Sequence, residues 1–355
     1  MLNVTKTFLP PQEEYNAILK RAWDKGWITN RGTLVKELEE KLKEHLGVIN
    51  LLATTNGTLP LQIAIKALGL TGEIITTPFS YVATTSSIVW EGCTPVFVDI
   101  HPEYLTIDEK KIETAITSQT SAIMATHVFG NPCAVEAIEV IAKKHNLKVI
   151  YDAAHCFGVT YKGKSIFEYG DVSTCSFHAT KLFHTGEGGA LFTKDKELFD
   201  TLFYLHNFGH MGKENFQGIG INAKMSELQA AMGLAVLPYV ERIKKNRERV
   251  AAIYSEELES LQQLKVRKEA IWNFAYFPVI FPTEKTLLQV RENLNKSNIY
   301  PRRYFYPCLT NLPYIQNADS PISQDISKRI LCLPIYDDIS TTEVLQICNI
   351  IKRSK

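Results

Sequence analysis

The chain has 355 residues, of which 45% are hydrophobic and 22% are charged, and its 39 Lys and Arg residues nearly balance its 38 Asp and Glu residues. This composition is that of a globular protein and excludes a disordered chain, and the net charge of +1 lacks the basic excess of a nucleic-acid-binding protein. The length allows one large α/β unit or two domains, and no apolar run reaches the roughly 18–20 residues of a membrane-spanning helix.

The first part of the chain alternates predicted helices with predicted strands. Apolar residues recur at helical spacing between Leu34 and Leu46, and Gly47 stands where a glycine commonly ends a helix. A second helix is predicted over residues 58–68. Strands are predicted over residues 51–54, 74–77, 95–99, 121–126, 148–151 and 190–193.

Most of these strands are continuous apolar runs rather than alternations of apolar and polar residues. Such runs are typical of strands that are covered by helices on both faces, and they predict a mostly parallel sheet with crossover helices. Ligands of such sheets bind beyond the carboxyl ends of the strands. We therefore expect the functional residues directly after the strands.

The last third of the chain has a different pattern. A long helical stretch over residues 225–258 is interrupted near Pro238, and a strand over 276–281, a helix over 284–295, an aromatic turn over 300–307 and terminal helices follow. We predict a large domain over residues 1–240 and a small C-terminal domain over 241–355. The basic segment 241–249 interleaves acidic and basic residues, which favours a solvated helix face over an anion site.

Several classes of site are disfavoured. Seven cysteines are scattered without a C-x-x-C pair, which argues against structural zinc and against a disulfide framework. Reduced thiols and an N-terminus without an apolar signal segment predict a cytoplasmic protein. The P-loop, H-E-x-x-H and G-x-S-x-G motifs are absent, and residues 186–191 fail the dinucleotide-binding pattern because Leu191 replaces its last glycine. No metal site is predicted.

Three features together indicate one cofactor. Asp152 follows a buried strand, where an ionised carboxylate needs a cationic partner, although Asp is also a common helix N-cap. Lys181 follows a polar loop, and a buried lysine suits Schiff-base chemistry, although a lone lysine is usually a surface residue. Residues 55–58 (Thr-Asn-Gly-Thr) offer backbone N–H groups to a phosphate, although Asn-Gly is also simply a turn. A phosphate site, a carboxylate and a reactive lysine are what pyridoxal 5′-phosphate (PLP) needs.

A series of motifs extends this interpretation over nearly the whole chain: TTNGTLPL (54–61), PFSYVATT (78–85), PVFVDI (95–100), THVFGNP (126–132), YDAAHCFG (151–158), SFHATK (176–181), GEGG (186–189) and GIGINAKMSELQAA (218–231). In order and spacing they resemble the DegT/DnrJ/EryC1/StrS family of aminotransferases, which act on nucleotide-linked keto sugars. One departure is Tyr151, where relatives usually have Glu. The resemblance implies the fold of a fold-type-I PLP-dependent transferase, with a mostly parallel central sheet between helices and a small C-terminal α/β domain.

The resemblance also implies roles for the residues around the cofactor. Lys181 would be the Schiff-base lysine and the base that moves the proton, and Asp152 would pair with the pyridinium nitrogen. Tyr81 would stack on the cofactor ring, and His155 would lie near the ring hydroxyl. Three further residues would hold the phosphate: Gly57, Thr58 and Ser176.

The resemblance implies roles for three more residues, one at the cofactor phosphate and two near the substrates. Asn222 would reach the phosphate from a partner subunit, so that the enzyme would be a homodimer with two shared sites. Lys224 stands where many relatives have Arg, and a role near the donor carboxylate or the nucleotide is implied. Tyr306 lies where family members contact the sugar nucleotide, although aromatic packing explains it equally well.

The activity that the resemblance implies is transfer of an amino group from L-glutamate to the C4 keto group of dTDP-4-keto-6-deoxyglucose, in deoxyamino-sugar biosynthesis such as that of an O-antigen. The partners would be the nucleotide sugar and L-glutamate, without nucleic acid or membrane. Amination at C3 of a dTDP-3-keto-6-deoxy sugar and a PLP-binding regulator without turnover are alternatives, since both would keep Lys181 and Asp152. A branch of sugar dehydratases with His in place of the lysine is disfavoured by Lys181.

Overall fold

In a computed structural model of the chain, residues 1–315 and 319–354 are described. Residues 316–318 and Lys355, which belong to the predicted second domain, lie outside the described residues. The strands of the described part are β1 (Leu2–Asn3), β2 (Leu51–Thr54), β3 (Glu73–Thr76), β4 (Thr94–Phe97), β5 (Thr120–Thr126), β6 (Lys148–Asp152), β7 (Thr160–Tyr161), β8 (Lys164–Ser165), β9 (Val172–Ser176), β10 (Gly189–Phe192), β11 (Gln262–Gln263), β12 (Ala270–Ile271), β13 (Phe277–Ile280), β14 (Ile299–Tyr300) and β15 (Ile330–Leu333).

The helices alternate with these strands along most of the chain. They are α1 (Gln12–Lys25), α2 (Thr33–Leu46), α3 (Leu59–Ala67), α4 (Val82–Trp90), α5 (Glu109–Ile112), α6 (Val135–His145), α7 (Lys196–Leu205), α8 (Glu227–Val236), α9 (Val240–Glu257), α10 (Glu284–Lys296), α11 (Pro321–Arg329) and α12 (Thr341–Arg353). Helix α2 ends where predicted, because Gly47 adopts a left-handed conformation with a φ of 64°. The predicted interruption near Pro238 is a short 3₁₀ turn between α8 and α9.

Seven strands form the central sheet in the order β2-β10-β9-β6-β5-β3-β4. Strands β3, β4, β5, β6 and β9 pair in parallel, and β10 runs antiparallel to both of its neighbours, β2 and β9. The sheet is therefore mostly parallel, and the predicted α/β fold is confirmed.

Helices cover both faces of this sheet. Side chains of a strand point alternately to its two faces, and on β5 Ile123 and Ala125 join an apolar cluster that includes α2, α6 and α8. The intervening Ala122 and Met124 join a second cluster that includes α3, α4 and α7. This double burial explains why the strands are continuous apolar runs in the sequence.

The C-terminal part has its own small antiparallel sheet, in the order β11-β13-β15. Buried residues of α9, α10 and α12 pack against it, among them Tyr254, Val290 and Ile347. Strand β1 pairs in parallel with β14, so the first residues of the chain join this part. The division at residue 240 stays a prediction.

One apolar cluster joins the C-terminal part to the edge of the central sheet. Phe79 and Phe129, which follow β3 and β5, share it with Tyr276 and Phe305. The rings of Phe79 and Phe305 are 5.6 Å apart. This contact brings C-terminal side chains to the carboxyl ends of the parallel strands.

Within the described ranges, no helix is long and apolar enough to cross a membrane. All seven cysteines are buried and none forms a disulfide.

Candidate active site

A cavity of about 240 Å³ lies at the carboxyl edge of the central sheet. Its lining includes seven of the residues singled out from the sequence, namely Gly57, Thr58, Tyr81, Asp152, His155, Ser176 and Lys181. They meet because β2, β6 and β9 end at this edge, with Asp152 and Ser176 as the last residues of β6 and β9. The structure thus brings together residues that are up to 124 positions apart, the separation of Gly57 and Lys181 (181 minus 57).

Asp152 is a buried carboxylate with a defined set of donors. Its Oδ2 accepts a hydrogen bond of 2.6 Å from the Thr84 hydroxyl, and its Oδ1 accepts one of 3.1 Å from the Ala154 N–H. Burial raises the pKa of Asp152, whereas both hydrogen bonds and the charge of Lys181 act against this rise. Because one oxygen is bound on each side, the carboxylate has a fixed orientation in the cavity wall.

Lys181 brings its amino group into the same cavity. Its Nζ donates a hydrogen bond of 3.3 Å to the Tyr276 hydroxyl and lies 5.7 Å from the centre of that ring. Burial lowers the pKa of Lys181, and the charges of nearby groups, including Asp152, act against this change. A lysine with a lowered pKa is more often neutral near pH 7, which is the form that attacks a carbonyl carbon.

The loop between β2 and α3 packs closely against the end of β9. A Cβ atom at Gly57 would lie 2.7 Å from the Cβ of Ser176, so only glycine fits against the end of β9. The N–H groups of Thr58 and Leu59 both donate to the Asn56 side chain at 2.9 Å. The Thr55 N–H donates to the Ala223 carbonyl at 2.8 Å, so two of the four predicted backbone donors, those of Thr55 and Thr58, are already used. The Gly57 N–H and the hydroxyls of Thr58 and Ser176 remain at the cavity.

His155 is held as a neutral imidazole. Its Nδ1 accepts a hydrogen bond of 3.1 Å from the Phe129 N–H, which assigns the ring proton to Nε2. Burial lowers the pKa of His155 well below its usual value, and the charge of Lys181 acts in the same direction. The ring stands 4.8 Å from that of Tyr276, and its Nε2–H is a hydrogen-bond donor.

Tyr81 stands at the N-terminus of α4, and its side chain is largely exposed at the mouth of the cavity. No other aromatic ring among the described residues packs on it, whereas Phe79 two positions earlier is buried among Phe129 and Phe305. The Tyr81 ring is therefore available to stack on a flat ligand.

Sequence reasoning missed the residues that the C-terminal part contributes. Tyr276, Tyr304, Phe305 and Arg302 also line the cavity. The Arg302 guanidinium lies 4.8 Å from the centre of the Tyr304 ring, and it has no ion pair and no side-chain hydrogen bond within residues 1–315 and 319–354. The predicted aromatic turn 300–307 was the only signal in the sequence for this wall.

Three predicted residues lie outside this cavity. Lys224 lines a second cavity of about 520 Å³ together with Arg31, Lys36 and Lys213, and its Nζ donates a hydrogen bond of 2.7 Å to Asn222. Burial lowers the pKa of Lys224. Tyr306 is exposed, with the Arg303 guanidinium 3.5 Å from the centre of its ring. The roles implied for these three residues stay predictions.

The residues of the first cavity fit PLP. An amine and a buried carboxylate face one space, a close-packed glycine loop with two hydroxyls lies at its edge, and an aromatic ring is available for stacking. These are the groups that bind the aldehyde, the ring nitrogen, the phosphate and the ring face of this cofactor. In the described part of the chain, no cluster of His, Cys, Asp and Glu side chains is placed to hold a metal ion.

An α/β fold with this constellation at its carboxyl edge defines a PLP-dependent enzyme. The comparison with protein families specifies the class. The chain belongs to the DegT/DnrJ/EryC1/StrS aminotransferase family, whose model matches residues 11–352. It is therefore an aminotransferase that uses PLP.

Similar proteins cover nearly the whole chain. A dTDP-4-amino-4,6-dideoxy-D-glucose transaminase of Shigella dysenteriae is 41% identical over 99% of this chain and 98% of its own length, and one of Escherichia coli is 39% identical over 98% and 97%. Among solved structures, DesI in the presence of its TDP-sugar product matches with a TM-score of 0.94 and 33% identity, over 99% of this chain and 92% of that one.

Proposed function

We propose that this enzyme transfers the amino group of L-glutamate to the C4 keto group of dTDP-4-keto-6-deoxyglucose. The proposal rests on the cavity in which Lys181 faces Asp152, because this pair distinguishes an aminotransferase site from a general ligand pocket. The sugar is inferred from the two transaminases that are 41% and 39% identical over nearly the full chain. The glutamate donor is the one that the family resemblance implies.

The chemistry assigns a task to each side chain. PLP, when bound, supplies an electron sink for the bond that breaks at the substrate carbon. Lys181 would hold the cofactor through its Nζ, and the same amine would move protons, taking one from the α-carbon of glutamate and delivering one to C4 of the sugar. Burial lowers the pKa of this amine, which increases the fraction of the neutral form that can accept a proton.

The remaining groups orient the reactants. Asp152 would hold the protonated ring nitrogen, and the Nε2–H of His155 would donate to the ring hydroxyl. Gly57, Thr58 and Ser176 would bind the phosphate through one N–H and two hydroxyls. Arg302 would bind an anionic group of the substrates, because its guanidinium reaches the cavity without an ion pair or a side-chain hydrogen bond among the described residues.

We further propose that the active enzyme is a homodimer with shared sites. The Asn222–Lys224 segment lies outside the first cavity and is bordered by exposed apolar side chains, namely Phe208, Phe216 and Ile219. Neighbouring exposed apolar side chains are typical of a surface that a partner protein covers. The arrangement suits a segment that completes the site of a second copy, with Asn222 at its phosphate.

Paired inactive variants test the shared site. Lys181→Ala and Asn222→Ala would each be inactive or nearly so as homodimers, but coexpression would yield hybrids in which one site has both native residues. Random pairing would restore roughly a quarter of the wild-type activity. If both residues serve the same site of one chain, no hybrid site is complete and no activity returns, which would overturn the shared site.

The decisive test of the substrate uses PLP-loaded protein with L-glutamate and, in separate reactions, the 4-keto and the 3-keto dTDP-6-deoxy sugars. We expect amination of the 4-keto sugar, detected by mass spectrometry of the product. Amination of only the 3-keto sugar would support the C3 alternative. No turnover of either sugar by protein that binds PLP would favour a regulatory role.

We also propose the cell compartment and the biosynthetic role of the reaction. The seven unpaired thiols fit a reducing cytoplasm. The product would be a deoxyamino sugar for a glycan such as an O-antigen.

A further inference from the structure

A chain of three buried hydroxyl groups leads through the protein to Asp152. The Thr126 hydroxyl donates to Ser80 at 3.1 Å, the hydroxyls of Ser80 and Thr84 are 2.7 Å apart, and the Thr84 hydroxyl donates to Asp152 at 2.6 Å. All four side chains are at least nine-tenths buried. Bulk water is therefore excluded from this side of the carboxylate.

Each hydroxyl has one proton, and this fixes which group donates in each of the three hydrogen bonds. An ionised carboxylate only accepts hydrogen bonds, so the single hydroxyl proton of Thr84 points to Asp152. The contact between Ser80 and Thr84 must then use the proton of Ser80, and Thr126 must donate to Ser80. All three O–H dipoles point toward Asp152, and hydrogen bonds aligned in this way strengthen one another.

The fold explains why these groups converge. Thr126 ends β5 and is the register partner of Asp152 on the neighbouring strand β6. Ser80 lies two residues before α4, and Thr84 lies in the first turn of that helix, four positions later. Neighbouring Thr85 is equally buried, but its hydroxyl has no partner among the described residues.

We propose that Thr84, supported by Ser80 and Thr126, is a positioning residue that keeps the Asp152 carboxylate ionised and turned toward the cavity, where it meets the ring nitrogen of PLP. This inference rests on the role proposed above for Asp152. Without these donors, burial would favour the neutral carboxylic acid, which cannot pair as an anion with a protonated ring nitrogen.

The other ionisable groups near Asp152 do not replace the hydroxyl chain. Lys181 is the cation that acts on the carboxylate, and its amine is required for the cofactor itself. The thiols of Cys133, Cys156 and Cys175 also lie within electrostatic range, and burial raises the pKa of each, so they stay neutral. The hydroxyl chain is therefore the dedicated support of the anion.

The test measures PLP binding rather than turnover. Apo-protein is titrated with PLP near neutral pH, and the visible absorption of the bound cofactor is followed against pH. We expect Thr84→Val to weaken PLP binding about tenfold, because it removes a hydrogen bond to a charged group. On acidification, the variant should release PLP at a higher pH than the wild type. Thr84→Ser should restore both properties, and Ser80→Ala should have a smaller effect than Thr84→Val.

Thr85→Val is the matched control, because it makes the same change in the same buried helix turn without removing a hydrogen bond. It should bind PLP like the wild type, and thermal unfolding of the apo-proteins checks that both valine variants fold. Wild-type affinity and pH dependence in Thr84→Val, or an equal loss in Thr85→Val, would overturn the proposal. The assay contains no sugar nucleotide, so an error in the proposed substrate would leave its outcome unchanged.

Discussion

The amino nitrogen of Lys181 lies 3.3 Å from the hydroxyl oxygen of Tyr276, although 95 residues separate the two in the chain. The Tyr276 ring is held between His155 and Tyr304, with ring centres 4.8 and 5.3 Å away. Burial raises the pKa of the Tyr276 hydroxyl, so it remains protonated and accepts from the amine without carrying a charge. The C-terminal part thereby fixes the position of the reactive amine.

We predict that Tyr276→Phe lowers kcat about tenfold and changes the KM of either substrate little, because the variant loses alignment of the base but keeps the ring. The ammonium form of Lys181 also loses an acceptor, so its pKa falls further. The acid limb of the kcat profile should therefore move to lower pH. Steady-state kinetics across pH measure both effects.

Tyr254→Phe provides the control for this substitution. Tyr254 is fully buried in the C-terminal part, and its hydroxyl donates to the Pro334 carbonyl at 2.9 Å. Its loss should reduce stability by about 1 kcal/mol without affecting kcat. An unchanged kcat and pH profile in Tyr276→Phe would show that the contact with Lys181 has no catalytic role.

Arg302 is predicted to bind substrate rather than to stabilise the fold. We expect Arg302→Gln to raise the KM of the nucleotide sugar or of glutamate by about tenfold or more, with little change in kcat and in melting temperature. Separate titration of the two substrates identifies which anion the guanidinium binds. Arg353→Gln, at an exposed position of the last helix, serves as the control. An Arg302 variant with both KM values unchanged would contradict the prediction.

The sequence revealed those site residues that follow strands, because an apolar run ended by a polar residue is a local signal. Asp152 and Gly57 are of this kind. Strand β9 has no such signal, because Val172–Ser176 consists mostly of small polar residues, which are typical of a loop. It is a central strand because β6 and β10 pair with it on both sides, and the buried Ser173 hydroxyl is satisfied by the Tyr169 carbonyl at 3.0 Å.

The residues from the C-terminal part had no such signal. Tyr276 and Arg302 reach the cavity only because aromatic packing joins two distant parts of the chain, which no local pattern encodes. Arg247 is a different case. It was predicted on a solvated face, but it is buried and donates to the Ala275 carbonyl at 3.0 Å. Its helical spacing from buried Ile243 and Val250 could have placed it on the inner face.

A buried histidine behind the site makes stability depend on pH. The Nδ1 of His127 accepts from the Cys133 N–H at 2.9 Å, and its Nε2 has no partner among the described residues. The ring stacks on Tyr151 at 4.5 Å. Burial lowers the pKa of His127 from 6.5 to about 3, and that of His206 from 6.5 to about 4.

The sign of the effect follows from proton binding. Between these lowered pKa values and 6.5, the unfolded chain binds more protons than the folded protein. The free energy of unfolding is therefore unaffected by these histidines above pH 6.5 and decreases as the pH falls below it. At about pH 5, each histidine lowers the free energy of unfolding by about 2 kcal/mol. His127→Gln retains an acceptor for the Cys133 N–H. We predict that, between about pH 7 and pH 5, its free energy of unfolding decreases by about 2 kcal/mol less than that of the wild type. Urea unfolding of the apo-proteins at both pH values measures this difference, and equal losses in the two proteins would show that His127 is not buried in its neutral form.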